Sequence, residues 1–123
     1  MNVVTGKFSR NSRLLTAKDY ARVFENPLRS SDNYFTVLAR KSNSGDARLG
    51  LAVSKKNAKL AVERNRIKRL IRESFRAHKD ELYGLDIVVM NRRLTAHQDN
   101  RTLALSLSRH WQKMASLCAD SLL

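Results

Sequence analysis

A chain of 123 residues with 42% hydrophobic content can bury one core without disulfides or a metal. Its formal charge is +13, from 24 Lys and Arg against 11 Asp and Glu. That excess repels itself in the free protein and calls for a polyanion, nucleic acid before an anionic membrane. Residues 1–15 are polar and basic (Lys7, Arg10, Arg13), with Phe8, Leu14 and Leu15 as anchors, and read as an extended arm. Thr16 with Asp19 makes a capping box for a helix over Ala17–Glu25, which Asn26-Pro27 stops. A basic polar linker is expected up to Asn33. Tyr34–Arg40 and Arg48–Val53 read as strands on either side of the turn cluster Ser42–Asp46, so they are expected to pair as a hairpin. Asn57 is the expected cap of a long helix, Ala58–Leu82, which Gly84 ends. Asp86–Met90 reads as a short buried strand. Asp99 or Asn100 then caps a last helix over Arg101–Leu117, with Leu103, Leu107, Trp111 and Met114 as its stripe. The order α-β-β-α-β-α predicts an α+β fold, helices on a small sheet, as one domain over 1–123.

The long helix carries the strongest signal. Lys55–Arg76 holds nine Lys or Arg against two Glu. At 3.6 residues per turn Ile67, Leu70, Ile71, Ser74 and Phe75 share one face. Asn65, Lys68, Arg69, Arg72 and Arg76 share the other, with Arg64 and Arg66 on its borders. Like charges at i,i+4 repel by a few tenths of a kcal/mol per pair, roughly, so folding alone gains nothing from them. A phosphate-rich partner explains them, whereas a merely solvated face would carry more acids. Four aromatics, Tyr20, Phe24, Tyr34 and Phe35, lie on or next to elements that neighbour the sheet and suit stacking by single-stranded bases. Ordinary core is the competing reading. It is stronger for Phe24 and Phe35 than for Tyr20 and Tyr34, whose hydroxyls want a wet edge.

No catalytic constellation is visible. A metal-dependent nuclease needs clustered carboxylates, but the acids are scattered and only Asp80-Glu81 are adjacent. His78, His97 and His110 show no metal-ligand spacing. No glycine-rich phosphate loop occurs. The longest apolar run, Ile87–Met90, is far too short to span a bilayer. The N-terminal residues lack the apolar stretch of a signal peptide, and the lone Cys118 suits a reducing compartment, so a cytoplasmic protein is expected.

The run GLAVSKKNAKLAVERNRIKRLIRESFR, Gly50–Arg76, resembles the signature of the bacterial ribonuclease P protein subunit, centred on Arg64-Asn65-Arg66 with Ile67-Lys68-Arg69 and Arg72-Glu73 following. Arg13-Leu14-Leu15 with Asp19-Tyr20 and Val23-Phe24 resembles that family's first helix, Asp86–Val89 its last strand, and Leu107–Trp111 its terminal helix. Two departures stand out: Asn57-Ala58 where many members place a glycine, and Leu38-Ala39 where some carry an aromatic. The resemblance implies a two-layer sandwich with a left-handed βαβ crossover, and a role as accessory subunit of a ribozyme. The RNA subunit would cleave the 5′ leader of precursor tRNA, holding the Mg²⁺ itself, with one protein per RNA and no obligate protein oligomer. By the same resemblance Arg64, Asn65, Arg66, Lys68, Arg69, Arg72 and Arg76 would bind the catalytic RNA. Tyr20, Phe24, Arg13 and Tyr34 would line the leader cleft, with Lys55 and Lys56 at its mouth and Tyr20 as the cleaner probe of it. No residue would be catalytic and none would bind a metal. The competitors are a ribosomal or other structural RNA-binding protein and, less favoured, a nuclease with its own site.

Overall fold

The computed structural model describes residues 12–42 and 45–121, with side chains as far as residue 117. The N-terminal arm up to residue 11 and the side chain of Cys118 lie outside the described residues. Helix α1 (Ala17–Phe24) opens on the expected capping box. The Thr16 hydroxyl accepts the Asp19 N–H at 3.1 Å, and the Asp19 carboxylate accepts the Thr16 N–H at 3.3 Å. Asn26 ends the helix at a positive φ of 53°, a conformation Asn tolerates better than most residues. The segment read as a linker contains a strand, β1 (Leu28–Ser31). Its sequence, LRSS, is too polar to signal one. Leu28 and Ser30 nevertheless turn inward, and β2 (Phe35–Lys41) supplies the hydrogen bonds.

The expected hairpin does not form. Strand β3 (Arg48–Ala52) and β2 are separated by β4 (Leu85–Asn91), giving the order β1-β2-β4-β3. β4 is antiparallel to β2 and parallel to β3. The physical reason lies in β4 itself. Ile87, Val88 and Val89 are all fully buried, on both faces, and such a strand needs a neighbour on each edge. The connection β3–α2–β4 is therefore a crossover between adjacent parallel strands.

Helix α2 spans Ala61–Ala77, shorter than expected at both ends. Asn57 does not cap it. The Asn57 side-chain amide donates to the Asn91 carbonyl at 2.9 Å, and the Ser54 N–H donates to Asn91 Oδ1 at 2.8 Å, stitching the turn after β3 to the end of β4. Leu60 occupies the N-cap position with no side-chain hydrogen bond. After His78 the chain runs in successive turns to Gly84, whose φ of 84° favours glycine. A 3-10 helix (Arg93–His97) that the sequence did not signal precedes α3 (Asn100–Ser121), and Asp99 caps α3 by accepting the Thr102 N–H at 2.8 Å.

Both long helices cover one face of the sheet. Ile67, Ile71 and Phe75 of α2 and Leu103, Leu107, Trp111 and Met114 of α3 meet Phe35, Val37, Leu49, Ile87 and Val89. Trp111 stands edge-on to Phe75, and its indole N–H donates to Ser74 Oγ at 2.7 Å. Helix α1 lies on the other face, where Val23 packs with Leu14, Leu38 and Val88. The class is α+β, as expected.

Candidate nucleic-acid interface

The two faces of α2 separate as the period requires. Ile67, Ile71 and Phe75 are fully buried. Asn65 and Arg69 are exposed, and Lys68, Arg72 and Arg76 are partly so. The two arginines on the border are held by the protein itself. Arg64 Nη1 donates to the carbonyls of Ala58 and Lys59 at 2.9 and 2.8 Å, which closes the loop before the helix. Arg66 forks onto Glu63 Oε2 (2.9 Å) and donates to Asn100 Oδ1 at 2.8 Å, tying α2 to the start of α3. Among the expected cations, Lys68, Arg69, Arg72 and Arg76 are thus the ones most disposed to a ligand.

On the α1 side the sheet is only partly covered. Arg29, Leu38, Val88 and Gly50 form one row of paired residues, and Ser31, Thr36, Met90 and Ala52 the next. Tyr20 crosses the first row. A Cβ on Gly50 would stand 2.7 Å from its ring, so only glycine lets the tyrosine lie there. The Tyr20 hydroxyl accepts the Leu51 N–H at 3.1 Å, while the Leu14 N–H donates to the Leu49 carbonyl at 3.0 Å. Together they occupy the outer edge of β3. Phe24, one turn on, is 46% exposed, and Ala52, Met90 and Arg29 stay partly or wholly exposed. The sequence ranked these two aromatics the other way: Phe24 is the open ring, and Tyr20 is half structural.

Arg13, Tyr20 and Arg72 line a cavity of about 240 Å³ with Leu14, Leu49 and Leu51, so the cationic helix and the α1 side meet at the β3 edge. Lys55 and Lys56 are exposed in the turn after β3, next to Ala52 in the partly open row. One expected cleft residue is elsewhere: Tyr34 packs with the α2–α3 cluster on the opposite side of the sheet from Tyr20. Phe35 is fully buried there, in keeping with the core reading. Sequence reasoning passed over Lys59, Arg92 and Arg93, exposed at the α2 start and in and beside the 3-10 helix. The adjacent Arg pair was the available signal.

The most buried carboxylate serves structure. Asp86 is fully buried and takes Arg48 as a fork, Nε and Nη2 both at 2.8 Å, and Arg22 Nη1 at 3.0 Å. That arrangement leaves neither oxygen for chemistry. Among the described residues no group of three or more His, Cys, Asp or Glu is placed to hold a metal ion, and no helix is long and apolar enough to cross a membrane.

The family model described as ribonuclease P matches residues 8–115. The chain belongs to the ribonuclease P protein family. A "Ribonuclease P protein component" of Photorhabdus laumondii is 46% identical over 93% of this chain and 96% of its own length. One of Thioalkalivibrio sulfidiphilus is 44% identical over 92% and 94%. Among solved structures, the ribonuclease P protein of Staphylococcus aureus is 33% identical, with a TM-score of 0.75 over 85% of this chain and 94% of that one. The Thermotoga maritima ribonuclease P protein is 32% identical, with a TM-score of 0.73 over 82% and 96%. Ribonuclease P family membership removes the ground for reading the basic helix as that of a ribosomal protein.

Proposed function

We propose that this chain is the protein subunit of a cytoplasmic ribonuclease P ribonucleoprotein, one copy per RNA, which assists removal of the 5′ leader from precursor tRNA. The observation that carries the reading, beside family membership, is the division of α2. One side is locked into the core, and the other holds Lys68, Arg69, Arg72 and Arg76 against solvent, with Glu73 as a single exposed acid on its border. Such a rigid cationic face suits the backbone of a folded RNA, here the catalytic RNA. Arg64 and Arg66 contribute through the loop and helix they fix, and Asn65 adds a hydrogen-bonding group between them.

The α1 side is the proposed seat of the leader. Phe24 offers a face for stacking, Tyr20 shapes the floor, and Arg13 with Lys55 and Lys56 supplies charge for phosphates. Tyr34, on the other side of the sheet, is left to the strand ends. Hydrolysis belongs to the RNA in this reading, and Mg²⁺ bound there would activate water and steady the leaving oxygen. The protein contributes binding and position. The test is reconstitution with precursor tRNA and Mg²⁺. Protein alone should give no cleavage, while RNA with protein should exceed RNA alone at low Mg²⁺. Cleavage by RNA-free protein would overturn the assignment of the chemistry.

A further inference from the structure

Between the turn after β3, the first turn of α2 and the 3-10 helix lies a cavity of about 520 Å³. That volume is in the range of small-ligand sites. Its composition is sorted. Leu60 and Ala96 give an apolar wall, Lys56, Lys59 and Arg93 stand at the rim, and Glu63 closes one side. None of the three cations has a partner among the described residues, and all are exposed. Glu63 spends Oε2 on Arg66, at 2.9 Å, and its Oε1 has no partner among the described residues.

Leu60 is the residue that folding does not explain. It is 63% exposed, and it sits where Ser, Thr, Asp or Asn would cap the helix and stabilise it. Val62, one residue into the helix, is 69% exposed. An apolar side chain there lowers solubility and gives up a cap, and gains only if something flat covers it. The rim says what covers it. Three cations beside an apolar wall complement a phosphate attached to a ring. The carboxylate repels the phosphate from its own side and accepts hydrogen bonds from an exocyclic amine.

We infer that this pocket takes one unstacked nucleotide of the catalytic RNA, an amino-bearing base against Leu60 and Ala96 with its phosphates on Lys56, Lys59 and Arg93. The source is the catalytic RNA because the pocket is continuous with α2 through Glu63 and Arg66. The inference therefore rests on the proposed function. It also turns Lys56 from the leader toward this site. Bases splayed out of single-stranded loops are the usual targets of sequence-specific RNA recognition.

The test uses Leu60→Ser in the full-length protein bound to the catalytic RNA, with dimethyl sulfate and kethoxal reporting the pairing edges of the bases. Serine is the better cap, so thermal stability should hold or rise. Wild-type protein should protect one base that regains reactivity with Leu60→Ser. Affinity should fall about five- to tenfold, as for losing cover over roughly half a leucine. The salt slope of log K should not move for Leu60→Ser, but should drop by about 0.7–0.9 for each of Lys59→Ala and Arg93→Ala. Unchanged affinity and protections in Leu60→Ser overturn the pocket and leave the function standing. The probing is repeated with precursor tRNA added, and a Leu60-dependent protection found in precursor tRNA and not in the catalytic RNA overturns the choice of RNA. Wild-type protein that binds the catalytic RNA no better than an unrelated RNA of equal length overturns both.

Discussion

Among the described residues, the main core cluster on the α2–α3 side of the sheet holds seventeen buried apolar residues, several of them large; on the α1 side the cluster holds four. The first side is interlocked, with Trp111, Phe75 and Phe35 filling the space between layers. The second is thin. Its middle is small (Gly50, Ala52), one end is pinned by a buried carboxylate between two arginines, and one aromatic ring is left in solvent. The difference teaches how one small sheet serves two demands. Dense packing on one face supplies the stability that lets the other stay open and charged. Each face also has an exception that can be tested: Asp86 holds the open face by charge rather than packing, and His110 is a polar island within the packed one.

The largest expected effect is at Asp86. Asp86→Asn removes the anion that Arg22 and Arg48 share, and stability should fall by about 3 kcal/mol, the low end for a broken buried pair, because both arginines keep some solvent and Arg48 keeps Asp19 at 3.9 Å. Urea denaturation measures it. A loss under about 1 kcal/mol would mean that apolar contacts alone hold the α1 side.

Next in size is the cationic face of α2. Replacing Lys68, Arg69, Arg72 and Arg76 together with Ala should lower the salt slope of log K for the catalytic RNA by about 3, at roughly 0.7–0.9 per phosphate contact. The fold should keep its stability, since i,i+4 repulsion is relieved. An unchanged slope would move the RNA to another face.

The open ring gives a smaller effect. Phe24→Ala in the assembled holoenzyme should weaken precursor tRNA relative to mature tRNA by about 1–2 kcal/mol, within the range for one stacked base. Being half exposed, Phe24 should cost less stability than the roughly 3–5 kcal/mol of a core phenylalanine. Tyr20→Phe should behave oppositely. It keeps the ring but strips the acceptor from the Leu51 N–H, at about 1 kcal/mol of stability with little change in the precursor-to-mature ratio. If Tyr20→Ala moves the ratio and Phe24→Ala does not, the two rings have exchanged roles.

The smallest effect is a pH dependence on the packed side. His110 Nδ1 lies 2.7 Å from Ser30 Oγ, and its Nε2 lies 3.1 Å from Asp32 Oδ2 in a geometry too bent for a good hydrogen bond. Burial holds the His110 pKa below its ordinary 6.5 despite Asp32, so the ring is neutral at pH 7 and the contact is not then an ion pair. Burial pushes Asp32 up, but the Ser106 hydroxyl and the N–H groups of Phe35 and Tyr34 outweigh it and hold Asp32 below 3.8. Below pH 6.5 the unfolded chain takes up the histidine proton more readily than the folded one. The His110 contribution is therefore complete above pH 6.5 and lost as pH falls through that value toward the folded pKa. The Asp32 contribution is lost only below pH 3.8. Stability between pH 7 and 5 should decline in the wild type and decline less in His110→Gln. Parallel profiles would show that His110 does not carry the slope.

Much of the molecule was legible because its signals are local. The capping box at Thr16, the stop at Asn26-Pro27, the two faces of α2 and the stripe of α3 each depend on residues close together in sequence, and each stands where the sequence pattern put it. The long signature from Gly50 to Arg76 also carried the family. What the tertiary structure alone decided are the relations between distant segments. β1 is a strand only because β2 and α3 receive LRSS. The hairpin between β2 and β3 lost to β4, whose apolar run pairs on both edges and so separates them. Asn57 left the helix for Asn91, more than thirty residues away in sequence. The structural hold on Tyr20 depends on Gly50, distant in sequence, leaving room for its ring. Hydrophobic periodicity states which side of an element is buried, but not which element buries it. That choice is made by competition among all strands and helices for the same surface, a property of the whole chain.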